Sequence, residues 1–404
     1  MTYTGEQYSM ITGSKELIRD INKHLVLETI IHQGPLSRAD LAKAVKLTKA
    51  TISAIVQELL ADQLVIEIGS AKTDKGRKPI LLKFHSQGGH AISIDLGPTM
   101  ITVLTSNLAG EQCQVKQYSN IPVDTSILTP LKSIITETIQ SLPDTPHGVV
   151  GISIGIHGVV HEQRVIFSPH YHLEEVDFVH DLRETFHIPV YVENEANLSV
   201  QGEHAFCYDY PNMVNLSIHS GVGMGLLIDH NLYTGFQGFA GEFGHTIVVP
   251  DGRLCPCGNR GCIEQYASET ALLKEYAKRK KQKSISFDAF VRDYQNKDPY
   301  AKEILDEFIK YMSIGINNIL NTMNPNLIII NSSFTIYIPG ITEMLKDALK
   351  NRMSKYCTIV PSRLQDSAIL LGGVYVCIKG YLGVTELKLS KSDGRIPAIS
   401  SCTF

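Results

Sequence analysis

The sequence predicts an α/β protein in which a small winged helix-turn-helix module precedes a larger body of alternating strands and helices. Within the first 85 residues, three helical segments are followed by two short strand-like runs. From Gly88-Gly89 onward, apolar strand-like runs alternate with helical segments. The charge divides at the same place, because residues 14–85 have 12 Lys and Arg against 8 Asp and Glu, whereas residues 86–404 have 25 against 32.

Length, composition and cysteine usage narrow the class of protein. A chain of 404 residues with 43% hydrophobic content has room for two or three domains of about 100–200 residues each. No apolar run approaches the ~20 residues of a membrane helix, and the polar start MTYTGEQYSM lacks the apolar core of a signal peptide, so a cytoplasmic protein without a membrane partner is expected. Eight cysteines are too sparse for a disulfide scaffold, and three of them crowd into CPCGNRGC at 255–262, which favours a metal.

The elements of the amino-terminal module follow from apolar spacing and capping residues. The first helix spans about residues 17–31, and its predicted apolar face consists of Leu17, Ile21, Leu25 and Ile30. Ser37 caps a second helix that continues through Ala44, and Thr48 caps a third that continues through Leu60. Two strands, at 64–68 and 79–84, flank the basic loop GSAKTDKGRK at 69–78. This order of elements is typical of a winged helix.

A helix-turn-helix presents the first turns of its second helix to base edges in the major groove. Here that helix begins TKATIS, with hydrogen-bonding side chains beside a small alanine, while Ile52, Ile55 and Leu59 face inward. The tip of the basic loop is suited to phosphates or the minor groove. The candidate DNA contacts are Ser37, Arg38, Thr48, Lys49, Ala50, Thr51, Ser53, Arg77 and Lys78. The alternative is a helical interaction domain whose basic loop is merely solvated.

A single module of this kind binds DNA with only modest affinity. A symmetric homodimer, or a dimer of dimers, on a pseudo-palindromic operator is therefore the expected partner arrangement.

The cysteine cluster has the composition of a zinc site. CPCGNRGC supplies Cys255, Cys257 and Cys262, and the nearest upstream histidine is His245 in AGEFGH. Three thiolates and one imidazole satisfy a tetrahedral zinc ion. One structural zinc per chain is predicted, because four protein ligands leave no position open for an activating water. The alternative is a set of unligated cysteines in a turn.

Carboxylates flank this cluster in the sequence. Glu242 lies three residues before His245, and Glu264 lies two residues after Cys262, so a closed zinc loop brings both carboxylates near the imidazole. Such groups can bind the hydroxyls of a sugar by bidentate hydrogen bonds. Asn194-Glu195 in VENEAN follows a strand-like run and can reach the same cleft. The alternative for each glutamate is a solvated position on a loop.

The motifs AGEFGH, CPCGNRGCIE, VENEAN, GIHG at 155–158 and the glycine tract from Ser220 together resemble the ROK family (repressors, open reading frames and kinases). The resemblance extends over about residues 14–380. Because a winged helix precedes these motifs, the chain is most similar to the repressors of the family, and IGSAKTDKGRKPILLKF and NNILNTMNP look most like the xylose-operon repressors of Gram-positive bacteria.

The resemblance implies an actin-like, ribonuclease-H-like pair of lobes with a sugar in the cleft between them. It places a tail at 1–13, the DNA-binding domain at 14–85 and the ROK domain at 86–404, with lobe one at about 86–197 plus 375–404 and lobe two at about 198–374. The implied sugar contacts are Asn194, Glu195, Glu242, His245 and Glu264, and the implied zinc ligands are His245, Cys255, Cys257 and Cys262.

ROK sugar kinases share this fold, so an ATP-dependent kinase of an aldose is the competing prediction. The kinase base motif ENDAN has Glu195 in place of the aspartate, and the kinase pattern DxGGTK appears as Asp95-Leu96-Gly97-Pro98-Thr99-Met100, without the lysine and with a proline that lacks an N–H donor. His219-Ser220-Gly221-Val222-Gly223 replaces GTGxG, and Asn331-Ser332-Ser333 replaces a glycine triplet. A sugar cleft without an ATP site favours a non-enzymatic sensor.

The predicted function is therefore that of a sugar-responsive repressor of a carbohydrate-utilisation operon, in which sugar binding alters operator affinity by shifting the two lobes. The sequence leaves open whether xylose, glucose, another aldose or a phosphorylated sugar is the effector, and whether the effector is an inducer or a co-repressor. The last fifteen residues, polar and interrupted by Gly394 and Pro397, are expected to be poorly ordered.

Overall fold

The computed structural model describes residues 15–70, 79–97, 100–168, 171–350, 352–355, 357–389 and 399–401. The amino-terminal module contains α1 (Lys15–Gln33), β1 (Leu36–Ser37), α2 (Arg38–Ala44), α3 (Lys49–Ala61), β2 (Val65–Ser70) and β3 (Ile80–Phe84). The three strands form one antiparallel sheet with β3 in its centre. The predicted winged helix-turn-helix is confirmed, with Ser37 and Thr48 as the helix caps. The predicted DNA contacts Arg77 and Lys78 lie outside the described residues.

The apolar face predicted for α1 is wrong in its first half. The buried residues of α1 are Val26, Leu27, Thr29 and Ile30, all in its carboxyl-terminal half. Leu17, Ile21 and Leu25 are instead 42%, 56% and 40% exposed. The first half of α1 contacts α3 through the ion pairs Arg19–Glu58 and Lys23–Asp62 rather than through an apolar seam. Periodicity identifies an apolar face, but tertiary packing decides how much of that face is covered.

The body begins with a mixed α/β unit. Its elements are β4 (His90–Leu96), β5 (Met100–Asn107), β6 (Cys113–Ser119), α4 (Leu128–Ser141), β7 (Val149–Ile156), β8 (Val159–His161), β9 (Arg164–Phe167), α5 (Phe178–Phe186), β10 (Val190–Asn194) and α6 (Glu195–Phe206).

A second α/β unit follows. Its strands and helices are β11 (Met213–Ile218), β12 (Val222–Ile228), β13 (Asn231–Leu232), α7 (Glu264–Ala267), α8 (Glu269–Arg279), α9 (Phe287–Gln295), α10 (Pro299–Thr322), β14 (Leu327–Ser332), α11 (Ser333–Tyr337), α12 (Ile341–Ala348) and β15 (Thr358–Pro361). The chain then returns to the first unit through α13 (Ala368–Leu382) and β16 (Ile399–Ser401).

The two units of the body share one strand topology. The first sheet has the order β10-β7-β4-β5-β6-β16, and the second has the order β13-β12-β11-β14-β15. In each sheet, three consecutive strands pair antiparallel, and two later strands add in parallel beside the first of them. The central strands are apolar and buried because helices cover the sheets, as expected for parallel strands. This duplicated unit is the predicted two-lobed, ribonuclease-H-like body.

The predicted lobe boundaries fall inside two helices. The boundary after residue 197 interrupts α6, and the boundary before residue 375 interrupts α13. Both helices are continuous, and they pack against each other and against β7. A division before Ala368 keeps α13 whole with the sheet it covers.

The polar carboxyl-terminal segment contributes one short strand. Ile399–Ser401 pairs in parallel with Cys113–Val115 of β6 at the edge of the first sheet. The expectation of poor order therefore does not hold for these three residues, because the exposed edge of β6 offers unpaired backbone groups. Residues 390–398 and 402–404 lie outside the described part. Among the described residues, no helix combines the length and the apolar character needed to cross a membrane.

Close approach of α6 and α13 depends on glycines, which gives a stability prediction. A Cβ at Gly372 would lie 1.9 Å from the carbonyl oxygen of Leu198, and one at Gly202 would lie 2.4 Å from that of Ala368. Gly372→Ala is expected to lower the free energy of unfolding by about 3 kcal/mol or more, because a backbone carbonyl cannot easily move aside. Chemical denaturation measures this loss.

Gly148→Ala is the matched control for this substitution. A Cβ at Gly148 meets nothing within 4 Å, and only its φ of +56° opposes alanine. That control should cost about 1 kcal/mol. Equal costs for both variants would contradict the proposed helix contact.

Candidate functional site

The exposed surface of α3 matches the predicted DNA-reading surface. Lys49, Ala50 and Ser53 are exposed, whereas Ile52, Ile55 and Leu59 on the opposite side are at most 2% exposed. Thr48 caps the helix by accepting a 3.2 Å hydrogen bond from the amide of Thr51, and the two threonine hydroxyls lie 2.9 Å apart. The capped first turn holds the polar side chains on a rigid helix end.

The two predicted DNA contacts at the start of α2, Ser37 and Arg38, differ in how exposed their side chains are. Ser37 is 3% exposed, and its hydroxyl donates to Asp40 Oδ2 at 2.7 Å while accepting from the Asp40 amide at 3.2 Å. Its side chain therefore serves the capping box and does not reach the surface, which removes Ser37 from the side-chain contacts. Arg38 is partly exposed, and its guanidinium contacts Glu67 Oε1 at 3.1 Å.

The predicted metal ligands come together in space. One ligand atom each from His245, Cys255, Cys257 and Cys262 lies within 4.8 Å of all the others. His245 Nδ1 is 3.6 Å from Cys255 Sγ, and Cys257 Sγ is 3.6 Å from Cys262 Sγ. Cys255 and Cys262 are buried, and Cys257 is exposed. The cluster can hold a metal ion.

The loop around this cluster is folded by short backbone bridges and by glycine. Ile247 pairs with Cys262, and Leu254 pairs with Arg260, each as an isolated antiparallel bridge. Gly261 has a φ of +86°, and a Cβ there would lie 1.7 Å from the carbonyl oxygen of Val249. Only glycine fits at this position, so the GxxGC end of the motif determines how tightly the loop closes.

His245 faces two sides at once. Its Nδ1 lies towards the cysteines, and its Nε2 is 3.7 Å from Glu242 Oε2. A ligand on Nδ1 would leave Nε2 protonated, and that proton would point towards Glu242. The cysteine cluster therefore orients the imidazole towards Glu242. We refer to Glu242, Glu195 and Glu264 together as the carboxylate cleft.

Two other carboxylates flank the start of β12. Glu264 Oε2 accepts a 3.1 Å hydrogen bond from the amide of Val222. A Cβ at Gly221 would lie 2.6 Å from Glu264 Oε2, and a Cβ at Gly223 would lie 3.0 Å from Glu195 Oε1. The glycines of the tract after Ser220 thus make room for carboxylates that come from both lobes.

The pKa values of these acids are shifted mainly by burial and secondarily by neighbouring charges. Burial raises the pKa of Glu195, the charge of His157 partly offsets this rise, and Asp95 and Glu242 add to it. Burial also raises the pKa of Glu242, where His245 opposes the shift and Glu264 adds to it. Hydrogen bonds from hydroxyl groups would stabilise such crowded carboxylates.

Asn194 has a different role from the glutamates. Its Nδ2 donates to Glu195 Oε2 at 2.6 Å and to the carbonyl oxygen of Gly158 at 2.9 Å. Its Oδ1 accepts from the amides of Ala196 and Asn197 at 2.9 and 3.0 Å, which caps α6. All of its hydrogen-bonding groups are used within the protein, so in this structure Asn194 holds Glu195 in place.

The structure adds a partly buried pair that the sequence analysis did not assign to the site. His157 Nε2 lies 2.9 Å from Asp95 Oδ1. Burial alone would lower the pKa of His157, but the hydrogen bond and charge of Asp95, together with Glu195, raise it to about 9. His157 is therefore a cation at neutral pH beside the carboxylate cleft. The signal for this pair was available, because ligands gather at the carboxyl ends of parallel strands and β4, β7 and β10 are neighbours.

Asp95→Asn gives a pH prediction for this pair. Since the pKa of His157 is raised to about 9, its charged form adds stability below the ordinary pKa of 6.5, and this stability is lost as the pH rises through about 9. Removing the Asp95 charge should bring the pKa of His157 below its ordinary value and flatten that pH dependence. NMR titration of His157 and denaturation at several pH values measure both effects. Asp144→Asn, on the exposed surface, should change neither.

At the positions where the kinases have glycines in their nucleotide loops, this chain has larger polar residues. Asn331 and Ser332 at the end of β14 are 3% and 2% exposed. Asn331 Nδ2 donates to the carbonyl oxygen of Gln365 at 3.2 Å, and Ser332 caps α11 by accepting from Phe334 N at 3.3 Å. Burial lowers the pKa of His219, which follows β11 directly. Pro98 and Thr99 lie outside the described residues.

A DNA-reading module in front of a two-lobed body with a carboxylate cleft defines a class of protein: a DNA-binding regulator that senses a polyhydroxylated small molecule. Comparison with family models divides the chain in the same way, into a DNA-binding module and a body. The ROK family model matches residues 91–379, and the MarR family model matches residues 20–75. The chain belongs to the ROK family.

Relatives with known roles extend this result over nearly the whole chain. A xylose repressor of Bacillus spizizenii is 32% identical over 388 residues, covering 94% of this chain and 100% of the relative. A solved ROK family transcriptional regulator, a homologue of the E. coli MLC protein, has a TM-score of 0.78 at 27% identity and covers 91% of this chain and 98% of that one.

Kinases of the family share only the fold with this chain. A ROK glucokinase of Streptomyces griseus has a TM-score of 0.63 at 23% identity over 71% of this chain and 99% of that one. The similarity to repressors includes the DNA-binding module, so the chain is a sugar-responsive DNA-binding transcriptional repressor, and the sugar-kinase alternative has less support.

Proposed function

We propose that this repressor controls a pentose-utilisation operon and that its effector is xylose, which binds in the cleft and releases the operator. The observation that carries the sugar site is the convergence of Glu195, Glu242, Glu264 and His245 on one cleft. The choice of xylose is supported by the relatives from Bacillus spizizenii and Caldicellulosiruptor bescii, both xylose repressors at 32% identity. A DNA-binding role also implies a cytoplasmic location.

In this proposal the three glutamates accept hydrogen bonds from sugar hydroxyls, and His245 donates one. Each carboxylate can accept from two adjacent hydroxyls, which suits the vicinal hydroxyls of a pentose. Asn194 contributes through Glu195, whose carboxylate it holds. His157 supplies a positive charge that partly offsets the rise that burial causes in the pKa of Glu195.

We propose that the metal at the cysteine cluster is one structural zinc ion per chain. Zn–S bonds of about 2.3 Å and Zn–N bonds of about 2.0–2.1 Å in a tetrahedron place S and S about 3.8 Å apart, and S and N about 3.6 Å apart. The observed separations of 3.6 Å for Cys257–Cys262 and for Cys255–His245 fit these values. The ion would cross-link the loop and fix the ring of His245.

The proposed DNA contacts are Arg38, Thr48, Lys49, Ala50, Thr51 and Ser53, with Arg77 and Lys78 outside the described residues. Two modules of a homodimer, or of a dimer of dimers, would read the halves of a pseudo-palindromic operator. We place the DNA-binding domain at 14–85 after a tail at 1–13, and the sensor at 86–404.

A continuous set of contacts joins the cleft to the DNA-binding module. Glu195 begins α6, which packs on α13, and the segment after α13 reaches α1. Glu28 Oε1 accepts from the amide of Thr385 at 2.7 Å, and His32 Nε2 accepts from the amide of Lys388 at 3.2 Å. A lobe movement that displaces α13 would therefore act directly on the first helix of the module.

A gel-shift assay tests the proposal. Full-length protein and the DNA upstream of its own gene are combined with xylose, glucose, other aldoses or their phosphates. Xylose should release the DNA at lower concentration than the other sugars. Release by a different sugar, or tighter binding with xylose, would contradict the proposed effector or its sign.

Ala50→Glu tests the proposed reading surface. A carboxylate on the exposed first turn of α3 would face the phosphates and bases, so operator affinity should fall roughly 100-fold or more. Titration of labelled operator measures this loss, and xylose affinity should not change. Ala61→Glu is the control, because it adds the same charge about 16 Å further along the helix. An equal loss in both variants would contradict base reading by the amino-terminal turns.

A further inference from the structure

A second group of metal-ligating side chains lies far in sequence from the cysteine cluster. His204, Asp209 and His230 each offer one ligand atom, and these atoms lie within 4.8 Å of one another. They come from the end of α6, the loop after it and the turn between β12 and β13. His204 is 6% exposed, whereas the other two are exposed. His204 and His230 also line a cavity of about 100 Å³.

The positions of the ligand atoms suit a single ion. His204 Nε2 and His230 Nδ1 are 3.1 Å apart. Two imidazole nitrogens bound to one tetrahedral ion at about 2.0–2.1 Å lie about 3.3–3.4 Å apart, so a small ring adjustment would satisfy both bonds. Two imidazoles with one carboxylate form a donor set that suits zinc, cobalt and nickel.

A cation of the chain itself already contacts two members of this cluster. The ammonium of Lys388 is 3.0 Å from His204 Nε2 and 2.7 Å from Asp209 Oδ1. His204 Nε2 therefore lies next to a positive charge that belongs to the chain itself, and a metal ion bound to His204 would have to replace that charge.

We propose that His204, Asp209 and His230 form a second divalent transition-metal site, in which the ion competes with the ammonium of Lys388. The long side chain of lysine allows its ammonium to leave towards solvent when the ion enters. The site is open rather than closed, because three protein ligands leave at least one position for water. It therefore exchanges its ion more readily than the cysteine cluster.

Occupancy of this site would bear on the DNA-binding module. The amide of Lys388 donates to His32 Nε2 on α1, and the neighbouring amides of Thr385 and Glu386 donate to Glu28 Oε1. Displacement of the Lys388 side chain would change the segment that holds α1. The metal would then modify operator affinity independently of the sugar.

Cobalt titration of the full chain tests the site. Cobalt bound to thiolates gives intense near-ultraviolet charge-transfer absorption, whereas a His2Asp set gives only weak visible bands. The wild-type chain should bind a second equivalent of Co²⁺ that adds no charge-transfer intensity. Cys257→Ser should remove the charge-transfer signal and leave that second equivalent in place.

His230→Gly is the decisive variant. His230 has a φ of +64° and follows Asp229, so glycine creates an Asp-Gly turn that suits this hairpin. His230→Gly should abolish binding of the second equivalent of Co²⁺, and Asp209→Asn should weaken that binding. His180→Ala, which removes an exposed histidine on α5, is the control and should bind as wild type.

Lys388→Met gives an effect of opposite sign. Removing the competing ammonium should tighten Co²⁺ binding about tenfold or more, a gain that a purely structural role for Lys388 does not produce. Unchanged or weaker binding in Lys388→Met, a second equivalent that persists in His230→Gly, or no second equivalent in the wild-type chain at millimolar Co²⁺ would each overturn the proposal.

Discussion

Cys257→Ser is expected to release the proposed zinc ion and to abolish the response of the repressor to sugar. A serine hydroxyl does not replace a thiolate, and structural zinc in small closed sites contributes about 10–16 kcal/mol of apparent binding free energy. Cys257 is the exposed member of the cluster, so its substitution leaves no buried cavity. The expected loss is that of metal binding and not of the fold.

The effect reaches the cleft through His245. Without the ion, Nδ1 keeps only its weak 3.6 Å contact with Cys255 Sγ among the described contacts, so the ring can turn away from Glu242, 3.7 Å from Nε2. Xylose affinity should fall roughly 100-fold or more, because both the imidazole donor and the fixed position of Glu242 are lost. Operator binding without sugar should persist, since the winged helix has its own buried residues.

Metal analysis measures the bound metal, calorimetry measures the xylose affinity, and gel shifts measure operator binding with and without sugar. Cys357→Ser is the matched control, because Cys357 lies outside the cluster and its thiol donates to the carbonyl oxygen of Thr358. A Cys257→Ser protein that is free of metal and still fully inducible would contradict the role of zinc in orienting His245.

Local signals predicted much of the fold. Ser37 and Thr48 were recognised as caps, and the structure confirms both. The spacing in CPCGNRGC and the preceding AGEFGH predicted a four-residue metal cluster, and the ligand atoms do lie together. Such predictions succeed because capping and loop closure depend on residues that are neighbours in sequence.

The misses concern tertiary placement. Leu17 and Ile21 fit an apolar helix face, yet they are 42% and 56% exposed, and sequence periodicity holds no information on how much of a face is covered. Ser37 was predicted both as a helix cap and as a DNA contact, and the structure confirms the cap, with the hydroxyl donating to Asp40 Oδ2. Local pattern identified what each residue could do, and packing decided which role it has.

Asp95 and His157 illustrate a second limit. They are 62 residues apart, and their contact exists only because β4 and β7 pair in parallel. The order of strands in a sheet is not encoded in any short motif. Once that order is known, the carboxyl ends of β10, β7 and β4 identify the cleft and the pair together.

Glu242→Gln is expected to weaken sugar binding while leaving operator recognition intact. Glutamine keeps the shape of the side chain but replaces one acceptor oxygen with a donor and removes the charge. Hydrogen bonds to charged groups contribute about 1.5–3 kcal/mol each, so xylose affinity should fall roughly 10- to 100-fold. Calorimetry on the full chain gives this value, and a gel shift gives the xylose concentration that releases half of the DNA.

Both measurements should shift by the same factor, because sugar acts on the operator only through its affinity for the cleft. Glu162→Gln is the control, since Glu162 is exposed at the turn between β8 and β9. If Glu242→Gln instead lowers operator affinity in the absence of sugar, then Glu242 supports the DNA-binding arrangement itself. If it changes neither quantity, the sugar lies elsewhere and the convergence of Glu195, Glu242 and Glu264 has another purpose. A parallel loss in both measurements shows that Glu242 acts through the sugar affinity of the cleft, because sugar acts on the operator only through that affinity.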